Sequence, residues 1–147
     1  MATTAEQKIE SATWSPARVY LVVSGFFLVA AAAVGFGLDA SFPSSSAAVE
    51  SDTHPHIFGI FETNGWHNLA ALISGVVSLG FAVRPEWARL GAFVKGTMYV
   101  GVTVSIAVWG PETFLIASNT ADQVVHGTLG AAGLVAGFAT RSKRHFL

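Results

Sequence analysis

The sequence predicts an all-α membrane protein: a bundle of four transmembrane helices, built as two tandem helical hairpins, with both termini in the cytoplasm. Three observations predict it. First, hydrophobic residues make up 52% of the 147-residue chain and charged residues only 12%, about half the share usual in soluble proteins. Second, the charges cluster and leave four long apolar runs, 19–38, 66–83, 90–109 and 121–139. Each approaches the roughly 18–20 residues that cross a hydrocarbon core of about 30 Å. Third, the start of the second run recurs in the fourth, 55 positions later: Asn64 matches Asn119, Asn68 matches Gln123 and Gly75 matches Gly130.

Spans in lipid are helices, because the backbone must satisfy its own hydrogen bonds there. A soluble bundle would show a polar face on every helix, and these runs have none. The length fits one domain: a membrane domain over 18–140, a polar N-terminal tail over 1–17 and a basic tail over 141–147. Lys8 and Arg18 precede the first run, Arg84 and Arg89 separate the second from the third, and Arg141, Lys143 and Arg144 follow the fourth. Loops 39–65 and 110–120 hold no Lys or Arg. The positive-inside rule therefore places both termini in the cytoplasm. The near-neutral net charge argues against a nucleic-acid partner.

In order along the chain, Trp14 and Tyr20 suit the membrane interface. The first run has no ionisable group and reads as a packing helix. It is longer than the 7–15 residues of a signal-peptide core, so it is expected to be retained. The loop that follows carries Glu50, Asp52, His54, His56 and Glu62. His54 and His56 are weak candidates for a surface metal, since imidazole and carboxylate suit zinc or copper. Ile57 to Phe61 reads as an apolar segment at the interface. In the third run Lys95 is expected to extend its ammonium to the headgroups from near the cytoplasmic end. Gly75 in the second run, and Gly130, Gly133 and Gly137 in the fourth, form small-residue stripes that let helices approach closely. The stripes predict that the second and fourth spans touch one another.

The candidate site is a polar cluster where those two spans begin: Asn64, His67, Asn68, Asn119, Asp122, Gln123 and His126. Asn64 and Asn119 are expected helix N-caps, with Asp122 completing a capping box. His126 lies about 10 Å down its helix at 1.5 Å per residue and needs a partner there. Asp122, one turn above, is the expected one, with His67 as another. A polar network of this kind fixes helix register or forms a ligand or proton-linked site. Bis-histidine haem is disfavoured, because His67 and His126 differ in depth by about a turn. The lack of cysteine excludes thiolate and iron–sulfur chemistry. Neither a nucleophile elbow nor a phosphate-binding glycine loop is present.

The segment GIFETNGWHNLAAL, the later N-x-x-D-x-x-x-H-x-x-x-G and the four-span layout resemble an uncharacterised family of small four-helix membrane proteins, common in actinobacteria and known only as a domain of unknown function. The resemblance covers 18–138. The family's second-span motif usually reads F-x-x-N-x-x-H-N-x-x-H. Phe61, Asn64, His67 and Asn68 match it, and Ala71 replaces the last His. The resemblance supports the fold and implies no activity. The resulting expectation is a non-enzymatic protein of the bacterial plasma membrane, with no cofactor. It would contact lipids and other membrane subunits as an accessory or scaffolding subunit of a complex. The alternative is a small-ligand, metal or proton-linked protein using the outer cluster.

Overall fold

The computed structural model describes residues 14–51 and 53–140. Residues 1–13 of the N-terminal tail, Asp52 and the basic tail lie outside them. Helix α1 is Pro16–Leu38, started by Pro16 and by the Ser15 hydroxyl, which accepts from the Arg18 N–H. A short α2, Ser46–Ser51, and two two-residue strands follow, β1 His56–Ile57 and β2 Phe61–Glu62. The strands pair antiparallel, His56 opposite Glu62 and Ile57 opposite Phe61. Their turn passes through Phe58 and Gly59 at φ 54° and 72°. The expected interfacial segment is this hairpin, with Phe58 and Ile60 exposed at its tip. Helix α3 is Gly65–Val83, α4 is Pro85–Trp109 and α5 is Thr120–Ala139, with a 3-10 turn over Pro111–Phe114 before α5.

Among the described residues the protein is mostly helical, and three helices, α1, α3 and α4, are long and apolar enough to cross a membrane. Helix α5 is of comparable length, but Asp122, Gln123 and His126 make its first two turns polar. Only Arg84 separates α3 from α4. Proline at the first helical position is preorganised for a helix start, so α4 begins at Pro85 and not near Leu90.

Helix pairing differs from the expected second-to-fourth contact. The most extensive contacts join α1 to α3 and α4 to α5. A Cβ placed on Gly75 would meet Gly25 O at 2.9 Å and Val29 N at 3.0 Å on α1. One placed on Gly130 would meet Val100 N at 2.9 Å and Gly96 O at 3.3 Å on α4. Gly133 approaches Gly96 and Ala92, and Gly137 the Phe93 ring. The glycine stripes thus serve each helix's partner within its own pair. A stripe dictates close approach but does not name the neighbour.

The two pairs repeat one another: α3 maps onto α5 at an offset of 55, and α1 onto α4 at 71. The contacts Gly25–Gly75 and Gly96–Gly130 are one instance. Another lies at the opposite end of the helices, where Arg18 Nε donates to Ala82 O (3.0 Å) and Arg89 Nε to Gly137 O (3.2 Å). Both arginines meet carbonyls in the last turn of the helix they clasp, the end that favours cations.

Candidate functional site

The same repeat knits the polar cluster at the starts of α3 and α5. Asn64 caps α3 by accepting from His67 N (3.0 Å), and Asn119 caps α5 by accepting from Asp122 N (3.2 Å). Each amide then reaches across. Asn64 Nδ2 donates to Leu115 O (2.9 Å) and Asn119 Nδ2 to Ile60 O (2.8 Å), each four residues before the other cap. Thr63 donates to Asn68 Oδ1, and at the equivalent positions Gln123 Nε2 donates to Ser118 Oγ (2.7 Å). Asn68 Nδ2 also donates to Asp39 O (2.9 Å) at the end of α1.

At the third position after each cap the copies differ in kind. His67 Nδ1 lies 3.0 Å from Glu62 O and 2.8 Å from Ala117 O. Carbonyls only accept, so Nδ1 carries the hydrogen. Asp122, buried, accepts from the Asn119 N–H (2.9 Å) and closes the capping box. The backbone N–H of Glu62 also reaches this carboxylate. Histidine and aspartate therefore hold the two linking loops together from opposite sides.

Asp122 does not pair with His126, contrary to the spacing argument. Residues four apart share a helix face, yet the Asp122 carboxylate is committed to backbone N–H groups at the helix start. His126 Nδ1 is buried and has no hydrogen-bond partner among the described residues. Its ring packs edge-on between His67 (centroids 5.8 Å apart) and Tyr99 (5.5 Å). His54 and His56 turn to different acids, His54 Nδ1 to Asp39 (3.8 Å) and His56 Nε2 to Glu62 (3.7 Å). Among the described residues no group of three or more His, Cys, Asp or Glu is arranged to hold a metal.

The largest departure from the sequence expectation is Lys95. Its side chain does not extend outward from the bundle: it is 5% exposed. Because α4 starts at Pro85, Lys95 sits ten residues into the helix, about 15 Å from its end at 1.5 Å per residue. Its Nζ donates to Ser24 Oγ on α1 (2.8 Å) and to Ser78 Oγ on α3 (2.9 Å). The Tyr20 and Tyr99 rings stand 5.5 and 5.7 Å from the ammonium, within cation–π range. Ser24 is the residue that Lys95 replaces in the repeat, 71 positions earlier. Here the two copies meet and their chemistry diverges.

Lys95 also lines a cavity of about 520 Å³ between α3 and α4, a size that suits small organic ligands. Its walls are Leu, Ile, Val, Met and Phe side chains, interrupted by Lys95, Ser74, Ser78, Tyr99, His67 and His126. Ile73 and Val77 on α3, and Val94 and Met98 on α4, are roughly half-exposed, so the cleft opens sideways between these helices. A second cavity of about 50 Å³ lies beneath the hairpin, lined in part by Asn68, Asp122, His67 and His126. The two imidazoles line both. Sequence reasoning found these histidines, yet missed Lys95, Ser24, Ser74, Ser78 and Tyr99. The available signal was Pro85, which sets the depth of Lys95.

Long apolar helices, close glycine crossings and a lateral cleft with a buried cation define a membrane-type helical protein with a ligand-sized cavity. The chain belongs to the family described as Domain of unknown function (DUF4383), which matches residues 18–139. Neither a curated protein nor a solved structure matches it.

Proposed function

We propose that the protein is a non-enzymatic, multi-pass protein of the bacterial plasma membrane that binds a small, apolar-bodied molecule in the cleft between α3 and α4. In this reading all four long helices span the bilayer, both termini are cytoplasmic, and the cap cluster closes the outer end of the cleft. One observation carries it: a cation held near mid-helix, with no acid beside it among the described residues, on the wall of an apolar cavity that opens to the side. Buried ionisable groups in membrane helices are expensive and mark ligand or ion sites. Native mass spectrometry after gentle extraction tests it. A bound small molecule is expected on the unaltered protein and should be lost when the cleft is filled by Ala70→Phe or Ser74→Phe. Identical spectra for unaltered and filled proteins would refute it. For orientation, single cysteines at Ser45 and Ser142 should react with an impermeant maleimide in intact cells only at position 45.

A second reading, an accessory subunit of a larger complex, is favoured by Gly37, Gly80 and Gly101. A Cβ added at any of these would meet nothing within 4 Å, and all three are exposed. Glycines at open helix positions leave room for a partner helix. Recovery of a stoichiometric partner that Gly101→Leu releases would support this reading, and recovery of the chain alone would count against it.

A further inference from the structure

The geometry points to the ligand's class: a single-chain amphiphile with one carboxylate, held head-in with its carboxylate on Lys95 and its chain in the apolar cleft. This rests on the cleft being a binding site and adds which head it recognises. The donor inventory decides it. Ser24 and Ser78 accept from Lys95 and give their own hydrogens to Tyr20 O and Ser74 O (2.6 Å each). Tyr20 gives its hydrogen to Leu129 O (2.8 Å), and Tyr99 gives its hydrogen to Ser74 Oγ (3.1 Å). An ammonium has three N–H groups, and Lys95 places only two on partners among the described residues. Its third, with the Ser74 hydroxyl, remains for a guest.

Charge argues the same way. No Asp or Glu is among the residues lining the cleft. The buried acid of the cap, Asp122, lines the smaller cavity and already accepts from the Asn119 N–H. Among the described residues the ammonium thus has two neutral hydroxyls and two ring faces but no counter-ion. A carboxylate brings one negative charge and two acceptor oxygens to two donors. A phosphate head brings more oxygens than the site has donors, and each buried acceptor left unpaired is costly. The half-exposed Ile73, Val77, Val94 and Met98 at the mouth let a chain enter from the acyl region of a bilayer.

Trp66 lines the cleft and provides the readout. In full-length protein with Trp14, Trp87 and Trp109 changed to Phe, a doxyl-labelled stearic acid should quench Trp66. Its methyl ester should bind at least about tenfold more weakly, the minimum expected for losing a charge-assisted hydrogen bond. A doxyl-labelled alkyl phosphate should also bind more weakly than the acid. Lys95→Met should abolish the preference for acid over ester. Equal binding of acid and ester, or tighter binding of the phosphate, would overturn the assigned class and leave the cleft as a binding site. Absence of saturable quenching by every probe would overturn the binding site itself. A preference surviving in Lys95→Met or Lys95→Gln would overturn the role of Lys95. Should neither variant fold, the acid–ester comparison on the lysine protein decides alone.

Discussion

Lys95→Met should stabilise the ligand-free protein, although it deletes two well-formed hydrogen bonds. The bonds from Nζ to Ser24 and Ser78, at 2.8 and 2.9 Å, involve a charged donor, a kind worth roughly 1.5–3 kcal/mol each. Against them stands the effective cost of burying an ammonium without a counter-ion, several kcal/mol. Insertion scales place a lysine at the centre of a membrane helix at about 2.5–3.5 kcal/mol. Removing the lysine strands no donor, because both serine hydroxyls already donate to carbonyls of their own helices. Replacing buried ionic groups by apolar residues of similar volume is often neutral or stabilising by about 1–4 kcal/mol, so a gain of about 1–3 kcal/mol is expected. Ser24→Ala or Ser78→Ala should have the opposite sign, costing about 1–3 kcal/mol by taking an acceptor from a buried cation. That cost should largely vanish in the Lys95→Met background, a coupling that a double-mutant cycle isolates. Reversible unfolding in detergent reads all of these. A loss above about 1 kcal/mol for Lys95→Met, or serine costs unchanged by it, would refute this account of the site, since Lys95 would then be structural.

Other outcomes follow from the packing. Gly96→Ala should destabilise by about 1–3 kcal/mol through overpacking, because its Cβ would lie 2.7 Å from Leu134 N. Gly101→Ala, with open space around it, should stabilise by up to about 1 kcal/mol from helix propensity. The same unfolding titration checks both, and equal effects would contradict the assigned helix pairing. Asn68→Leu should cost about 2–5 kcal/mol, because it unpairs Thr63 and the Asp39 carbonyl together. A variant as stable as the parent would show that the cap region does not hold the fold. Asp122→Asn and His126→Leu should be additive within about 0.5 kcal/mol, since the two side chains do not bond. Strong coupling in the four-variant cycle would restore the pairing that their spacing first implied.

What was legible in the sequence is what local geometry decides. Asn64 and Asn119 declare themselves as caps because capping depends on only three neighbouring residues, and the offset of 55 fixed their equivalence. The glycine stripes announced close crossings, but the crossing partner depends on which helices the loops bring together. Asp122 and His126 share a helix face, and spacing alone could not show that the carboxylate goes to the first turn and the hairpin. Lys95 is not legible from hydropathy, because the charged Arg84–Arg89 stretch looks like loop while Pro85 in fact starts the helix. Shifting the start of α4 to Pro85 moves the lysine from the headgroups to the middle of the bundle. The cleft itself arises between two helix pairs and leaves no trace in any single segment.

The most direct test of a head-in anion on Lys95 is an experimental density map of the protein extracted from its native membrane at a resolution that shows side chains. Elongated density is expected to fill the cleft between α3 and α4, its head within about 3 Å of Lys95 Nζ, as a hydrogen bond requires. A cleft closed by contact of α3 with α4, or Lys95 extended to the headgroups, would contradict it.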